Sequence, residues 1–139
     1  MKILNEIVEI STRGQGLYEF TQLVEEFVEQ SEINEGTLNL YCRHTSCSLT
    51  IQENADPDVQ ADLVKFFKLL VPHNMDWVTH TMEGADDMPA HIKSALTATS
   101  LTVPIIEGRV MLGTWQGIYL FEHRDAPHVR QIIVQIIGG

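Results

Sequence analysis

Residues 100–139, SLTVPIIEGRVMLGTWQGIYLFEHRDAPHVRQIIVQIIGG, decide the fold. The stretch breaks into short apolar runs separated by turn residues. Ser100–Glu107 ends at a turn centred on Gly108; Arg109–Leu112, Gly117–His123 and Val129–Ile137 follow. Repeated short runs between tight turns predict antiparallel strands in sheets packed face to face. The last run, QIIVQII over 131–137, is apolar on both faces. One face should meet the core, and the other a second sheet or another subunit.

Upstream, Ile3, Leu4, Ile7, Val8 and Ile10 predict a strand over the first dozen residues. From Tyr18 to about Gln30, Phe20, Leu23, Val24 and Phe27 recur at helical spacing with acids between them. Asn34 and Gly36 supply the stop. Two strands are expected at Thr37–Arg43 and Cys47–Glu53; in the second, Leu49 and Ile51 alternate with Ser48, Thr50 and Gln52. Asp56-Pro57 opens a second helix, with Asp56 as cap and Pro57 at the first helical position. Its expected core stripe is Val59, Leu63, Phe66, Phe67 and Leu70, and Pro72 closes it. His73–Met88 is polar and acidic, a long loop of the kind that more often serves function than not. A third helix is expected near Pro89, capped by Asp87 or Met88. The reading is one α+β domain over 1–139, an antiparallel β-sandwich-like core with about three helices.

Composition narrows the function classes. A chain of 139 residues, 44% apolar and 20% charged, can bury a core without disulfides or structural metal. A formal charge of −10 repels phosphate backbones and anionic lipid, so neither nucleic acid nor membrane is an expected partner. No run approaches the roughly 20 apolar residues of a membrane span. The first residues lack a signal-peptide pattern. Cys42 and Cys47 are therefore expected as reduced thiols in the cytoplasm. Their C-x4-C spacing has no second ligand pair, so packing is the better reading than metal.

Three clusters carry chemistry. His44 lies in Cys42-Arg43-His44-Thr45-Ser46-Cys47, at a strand end beside two hydroxyls. The segment from His80 to His91 holds two histidines and the carboxylates Glu83, Asp86 and Asp87. His91 falls in a first helical turn, where the helix dipole disfavours imidazolium and leaves a neutral ring fit for a metal or a base. Asp87 reads as a cap. In the third cluster Trp115 sits between Gly113 and Gly117, and Gln116 as a buried amide would need several partners. Glu122 and Arg124 share a strand face and are assigned to a metal and an anion.

The stretches HTSCSLTIQENADPDV (44–59), EGADDMPAHIKS (83–94) and GRVMLGTWQGIYLFEHR (108–124) resemble the YjbQ-like family across nearly the whole chain. The resemblance implies a β-sandwich-like α+β homotrimer with a weak, secondary thiamine-phosphate synthase activity and an unsettled main role. It carries the family's polar residues onto His44, Thr45, Ser46, Asn54, Asp56, His80, Glu83, Asp86, His91, Trp115, Gln116 and Glu122. Cys47 departs from the alanine often found there.

Three functions follow. The first is an enzyme joining phosphorylated pyrimidine and thiazole substrates, with magnesium on Glu83, Asp86 or Glu122 and phosphate on Arg43, Arg109 or Arg124. Dedicated synthases of this type resemble TIM barrels of about 250 residues, beyond the reach of this chain. The second is a transition-metal hydrolase or lyase, with His44, His80 and His91 holding zinc or a similar ion and Glu122 as base. The third is a trimeric module that binds a small phosphorylated metabolite without turnover. Across them, His44, His91, Gln116 and Glu122 are the expected catalytic residues. Thr45, Ser46, Asn54, Asp86, Trp115 and Arg124 are the expected substrate contacts. All three require the stretches near 44, 91 and 116 to meet in one hollow.

Overall fold

Along β8 (His128–Gly138), Ile132, Val134 and Ile136 turn inward and are fully buried, while Ile133 and Ile137 lie on the opposite face. That alternation organises the molecule, described over all residues 1–139 in a computed structural model. The other strands are β1 (Lys2–Thr12), β2 (Gly16–Glu19), β3 (Gly36–Cys42), β4 (Cys47–Glu53), β5 (Ser100–Ile106), β6 (Arg109–Val110) and β7 (Gln116–Glu122). The helices are α1 (Thr21–Ser31), α2 (Pro57–Leu70) and α3 (Asp87–Leu96). An antiparallel sheet in the order β1-β8-β3-β5-β6 faces a second one, β2-β7-β4. Leu38, Leu40, Val103 and the β8 residues from the first meet Leu49, Ile118 and Leu120 from the second, with Val24 and Val28 of α1 closing the side. The expected α+β sandwich with three helices is what the chain forms.

The hairpin between β5 and β6 turns at Glu107 and Gly108, both with positive φ (52° and 75°), the conformation of a type I′ turn. The second sheet has two covered faces. Ile118, Leu120 and Glu122 of β7 point into the sandwich. Tyr119, Phe121 and His123 point the other way, where Gln60 and Phe67 of α2 meet Tyr119 and Phe121.

Three expectations need correction. Tyr18 belongs to β2 and not to a helix, because Leu17 and Tyr18 pair with Phe121 and Leu120, and the helix begins only at Thr21. The α2 stripe is no core stripe: no residue of α2 is buried, and Phe66, Leu69 and Leu70 are exposed. The helix lies on the outer side of the smaller sheet, touching it through Phe67 and Gln60. α3 starts at Asp87, two residues before the expected point, with Asp86 as its cap position. Pro89 is accommodated in the first turn, where its missing N–H breaks no helical bond.

Candidate metal centre

With α3 beginning at Asp87, Asp87 and His91 stand four residues apart on one helix face. The loop before the helix lays His80 against the same carboxylate. His80 Nε2 is 2.7 Å from Asp87 Oδ2 and His91 Nε2 is 3.0 Å from it. One ligand atom from each of the three lies within 4.8 Å of the others. Asp87 is buried, whereas the His80 and His91 side chains are 43% and 31% exposed, so the cluster opens to solvent on the imidazole side.

Arg124 fixes the carboxylate from behind. It donates to Asp87 Oδ1 at 2.7 Å, to Asp86 Oδ2 at 2.9 Å and to the Glu83 carbonyl at 3.0 Å. Burial works against ionisation of Asp87, but the His80 hydrogen bond and the charges of His91 and Arg124 hold its carboxyl below the usual range. Asp86 is lowered likewise, its burial outweighed by Arg124 and the Asp125 backbone N–H. Asp86 thus bonds to Arg124 and makes no side-chain cap of α3.

The ring of His91 carries the sharpest constraint. Its Nδ1 lies 2.9 Å from the Thr45 carbonyl, which can only accept, so Nδ1 bears the hydrogen. In the neutral ring Nε2 is then a lone pair aimed at a carboxylate oxygen, an arrangement that needs a second proton or a cation between them. A histidine whose other nitrogen donates to a backbone carbonyl is the usual state of a metal ligand. Two imidazoles and a carboxylate suit zinc, iron or nickel, and three protein donors leave the open position of a catalytic ion.

His44, expected as a ligand with His80 and His91, stands outside this cluster. Its Nε2 accepts the Gln131 backbone N–H at 2.8 Å, leaving Nδ1–H as its free donor. Burial, with the Arg130 charge, lowers its pKa and keeps the ring neutral. His44, Arg43, Thr45, His91 and Ser94 nevertheless line one hollow of about 560 Å³, so two of the three expected stretches do meet. The third does not. Gln116 and Asn54 line a separate depression with Glu19. Gln116 is exposed, contrary to the buried amide expected, and its Oε1 accepts the Gly113 N–H at 2.7 Å, stapling the turn. Asn54 donates to Glu19, and Trp115 is 62% exposed on that turn.

Glu122, expected as a base or a metal ligand, is sealed inside the sandwich. It is 0% exposed; Arg130 donates to both its oxygens, and Thr12 and the backbone N–H groups of His123 and Arg124 add to them. Burial is outweighed by these partners, and its carboxyl sits below the usual range. Ser46 belongs to this sealed group, accepting from Arg130 at 2.9 Å. The expectation that Glu122 and Arg124 share a strand face fails because β7 ends at Glu122 and the chain turns outward before Arg124. Arg124 itself is spoken for by Asp86 and Asp87. Asp87 and Arg130 were the residues sequence reasoning passed over. The i,i+4 spacing of Asp87 and His91 was a readable signal, and so was a lone arginine in register with the inward residues of β8.

The family model described as UPF0047 protein YjbQ-like matches residues 6–139. The chain is 51% identical over 133 residues to UPF0047 protein sll1880 of Synechocystis, covering 96% of this chain and 90% of that one. Against UPF0047 protein YjbQ of Escherichia coli O157:H7 the identity is 43%, with 93% and 94% covered. Among solved structures, the conserved hypothetical protein TT1486 of Thermus thermophilus superposes with a TM-score of 0.85 at 34% identity, covering 95% and 99%. An uncharacterised YjbQ/UPF0047 protein of Clostridium acetobutylicum gives 0.83 at 35% identity, covering 96% and 99%. The chain belongs to the YjbQ-like UPF0047 family, whose function is uncharacterised.

Proposed function

We propose that the chain is a metal-dependent hydrolase or lyase, with a zinc-like ion held by His80, Asp87 and His91 and a small substrate in the hollow of Arg43, His44 and Thr45. The observation that carries this reading is the convergence of His80 Nε2 and His91 Nε2 on Asp87 Oδ2, at 2.7 and 3.0 Å, with His91 Nδ1 held by the Thr45 carbonyl. A divalent ion there supplies Lewis acidity and lowers the pKa of water. The chain's own parts have separate duties. Arg124 orients Asp87, the Thr45 carbonyl orients His91, and neutral His44 offers Nδ1–H to a substrate oxygen. Arg43 stands at the rim as a cation for an anionic substituent such as a phosphate. Glu122 has no part in it.

Magnesium fits less well, since it prefers oxygen donors and the cluster offers two nitrogens. Thiamine-phosphate synthesis fits less well for the same reason: of its expected magnesium ligands, Glu122 is sealed and Asp86 is bonded to Arg124. The homotrimer has support in the outer face of the larger sheet, where Ile3, Ile7, Tyr41 and Val129 are exposed beside Ile133 and Ile137. Light scattering should give three chains per particle. A cytoplasmic location has support in Cys42 and Cys47, whose sulfurs approach to 3.5 Å as free thiols. No helix is long and apolar enough to cross a membrane.

Elemental analysis of protein purified without a histidine tag tests the metal. About one equivalent of zinc, iron or nickel per chain is expected; less than about a tenth, with none regained from added zinc, sinks the proposal.

A further inference from the structure

Lys93 stands two residues beyond His91 on α3 and, by helix geometry, on a different side. It is 1% exposed. Its ammonium donates to Gln15 Oε1 at 2.9 Å and to nothing else in the chain, and no carboxylate pairs with it. An ammonium has three donors, and buried charges are ordinarily paired. Within the chain, one acceptor thus serves the three N–H groups of Lys93.

The side chain helps to line a hollow of about 320 Å³, together with Gln15, Lys68, Pro72, His73 and Asp125. Lys68, in the last turn of α2, adds a second cation. Asp125 is the one acid in the wall: Oδ1 accepts from Gln15 at 2.8 Å, and Oδ2 lies 3.7 Å from His73 Nε2, beyond hydrogen-bond distance. The wall thus sets two ammonium groups against one carboxylate, with cationic donors in the majority.

We propose that this hollow is an oxyanion site, taking the phosphate or carboxylate group of a small ligand on Lys93 and Lys68 with His73 at the edge. It does not depend on the metal centre. His73 also lines the depression beside His80, so the two sites share a wall.

Chelator-treated full-length protein separates this site from any anion bound to metal. Thermal unfolding would be followed in inorganic phosphate and in acetate, each against chloride at matched ionic strength. Phosphate or acetate should raise Tm beyond chloride, and the larger rise assigns the ligand group. In Lys93→Met the apparent affinity for that anion should fall at least about tenfold, the scale of a lost charged hydrogen bond. Lys68→Met, a change at an exposed position that leaves the fold testable whatever Lys93→Met does, should weaken it roughly threefold, the scale of a surface charge contact. No rise beyond chloride with either anion would overturn the proposal. So would an undiminished rise in both variants.

Discussion

Two clusters in this molecule each set an arginine against a carboxylate, and they have opposite fates. Glu122 and Arg130 lie inside the sandwich, where Thr12, Ser46 and two backbone amides join them and both carboxylate oxygens are bonded. Asp87 and Arg124 lie at the start of α3, where one carboxylate oxygen faces two imidazoles that are open to solvent. The same residue types make a structural strut in one place and a candidate reaction centre in the other. What separates them is access to solvent. A carboxylate sealed with both oxygens bonded has nothing to offer a ligand, whereas one that gathers two solvent-facing imidazoles can hold a visitor.

The largest expected effect tests the strut. Glu122→Gln leaves Arg130 charged and unpaired in the core, and should cost about 3–5 kcal/mol in urea unfolding while metal content per folded chain stays unchanged. A cost below about 1 kcal/mol would mean that the interior is wetter than the hydrogen bonds imply.

Next in size is the ligand itself. Asp87→Asn keeps the shape and removes the anionic donor. Zinc affinity, read by competition with a chromophoric chelator, should fall roughly 100-fold or more, because even partners outside the ligand set cost 10–100-fold. An unchanged affinity would make Asp87 an ordinary helix-start acid and would erase the contrast between the clusters.

His123 bears on the comparison from a third side. It is buried, donates to or accepts from Ser48 at 2.9 Å, and leaves Nδ1 without a partner. Burial, reinforced by the Lys93 charge, pushes its pKa down to about 3. The native ring is therefore neutral where the unfolded chain would bind a proton. Its contribution to stability is full above the unfolded value near 6.5 and is lost as pH falls toward 3, by about 1.4 kcal/mol per pH unit. His44, also lowered, acts in the same direction. Glu122, Asp86 and Asp87 have lowered values too, and their contribution disappears only below about pH 4. Between about pH 4 and 6.5, the stability slope of His123→Phe should be shallower than wild type by about one proton. Equal slopes would place water on Nδ1 and charge in the core.

Much of the fold could be read in advance, because strand alternation and turn residues are local. The β8 pattern, the Gly108 hairpin and the caps of α2 needed only neighbours in sequence. The misreadings concern what covers a face. The apolar stripe of α2 marks one side of a helix, yet nothing in Val59–Leu70 says that the helix would rest on the outside of the smaller sheet. Gln116 stood out because a buried amide would need several partners, yet it is exposed and serves the turn. At the metal centre, His80 and His91 were legible as types and Asp87 was hidden by a helix start set two residues late. His44 and His91 do share a hollow, but only the fold could reveal that the lone pair of His44 was already taken by the Gln131 backbone.

The smallest effect is the most discriminating, since it asks whether Arg124 acts through Asp87 or only braces the loop. Arg124 reaches Asp86, Asp87 and the Glu83 carbonyl together, so its loss could loosen the segment or could free the carboxylate to rotate. Arg124→Met retains much of the apolar stem and removes the fork. If orientation is its role, zinc should still bind, about tenfold more weakly, with stability of the metal-free protein nearly unchanged. If bracing is its role, the metal-free protein should lose stability while zinc affinity per folded chain holds. Arg130→Met is the matched control from the sealed cluster: it should lower the stability of the protein and leave zinc affinity per folded chain alone. A zinc affinity that moved equally in both variants would show the two clusters to be one coupled network, and the distinction between strut and reaction centre would have to be given up.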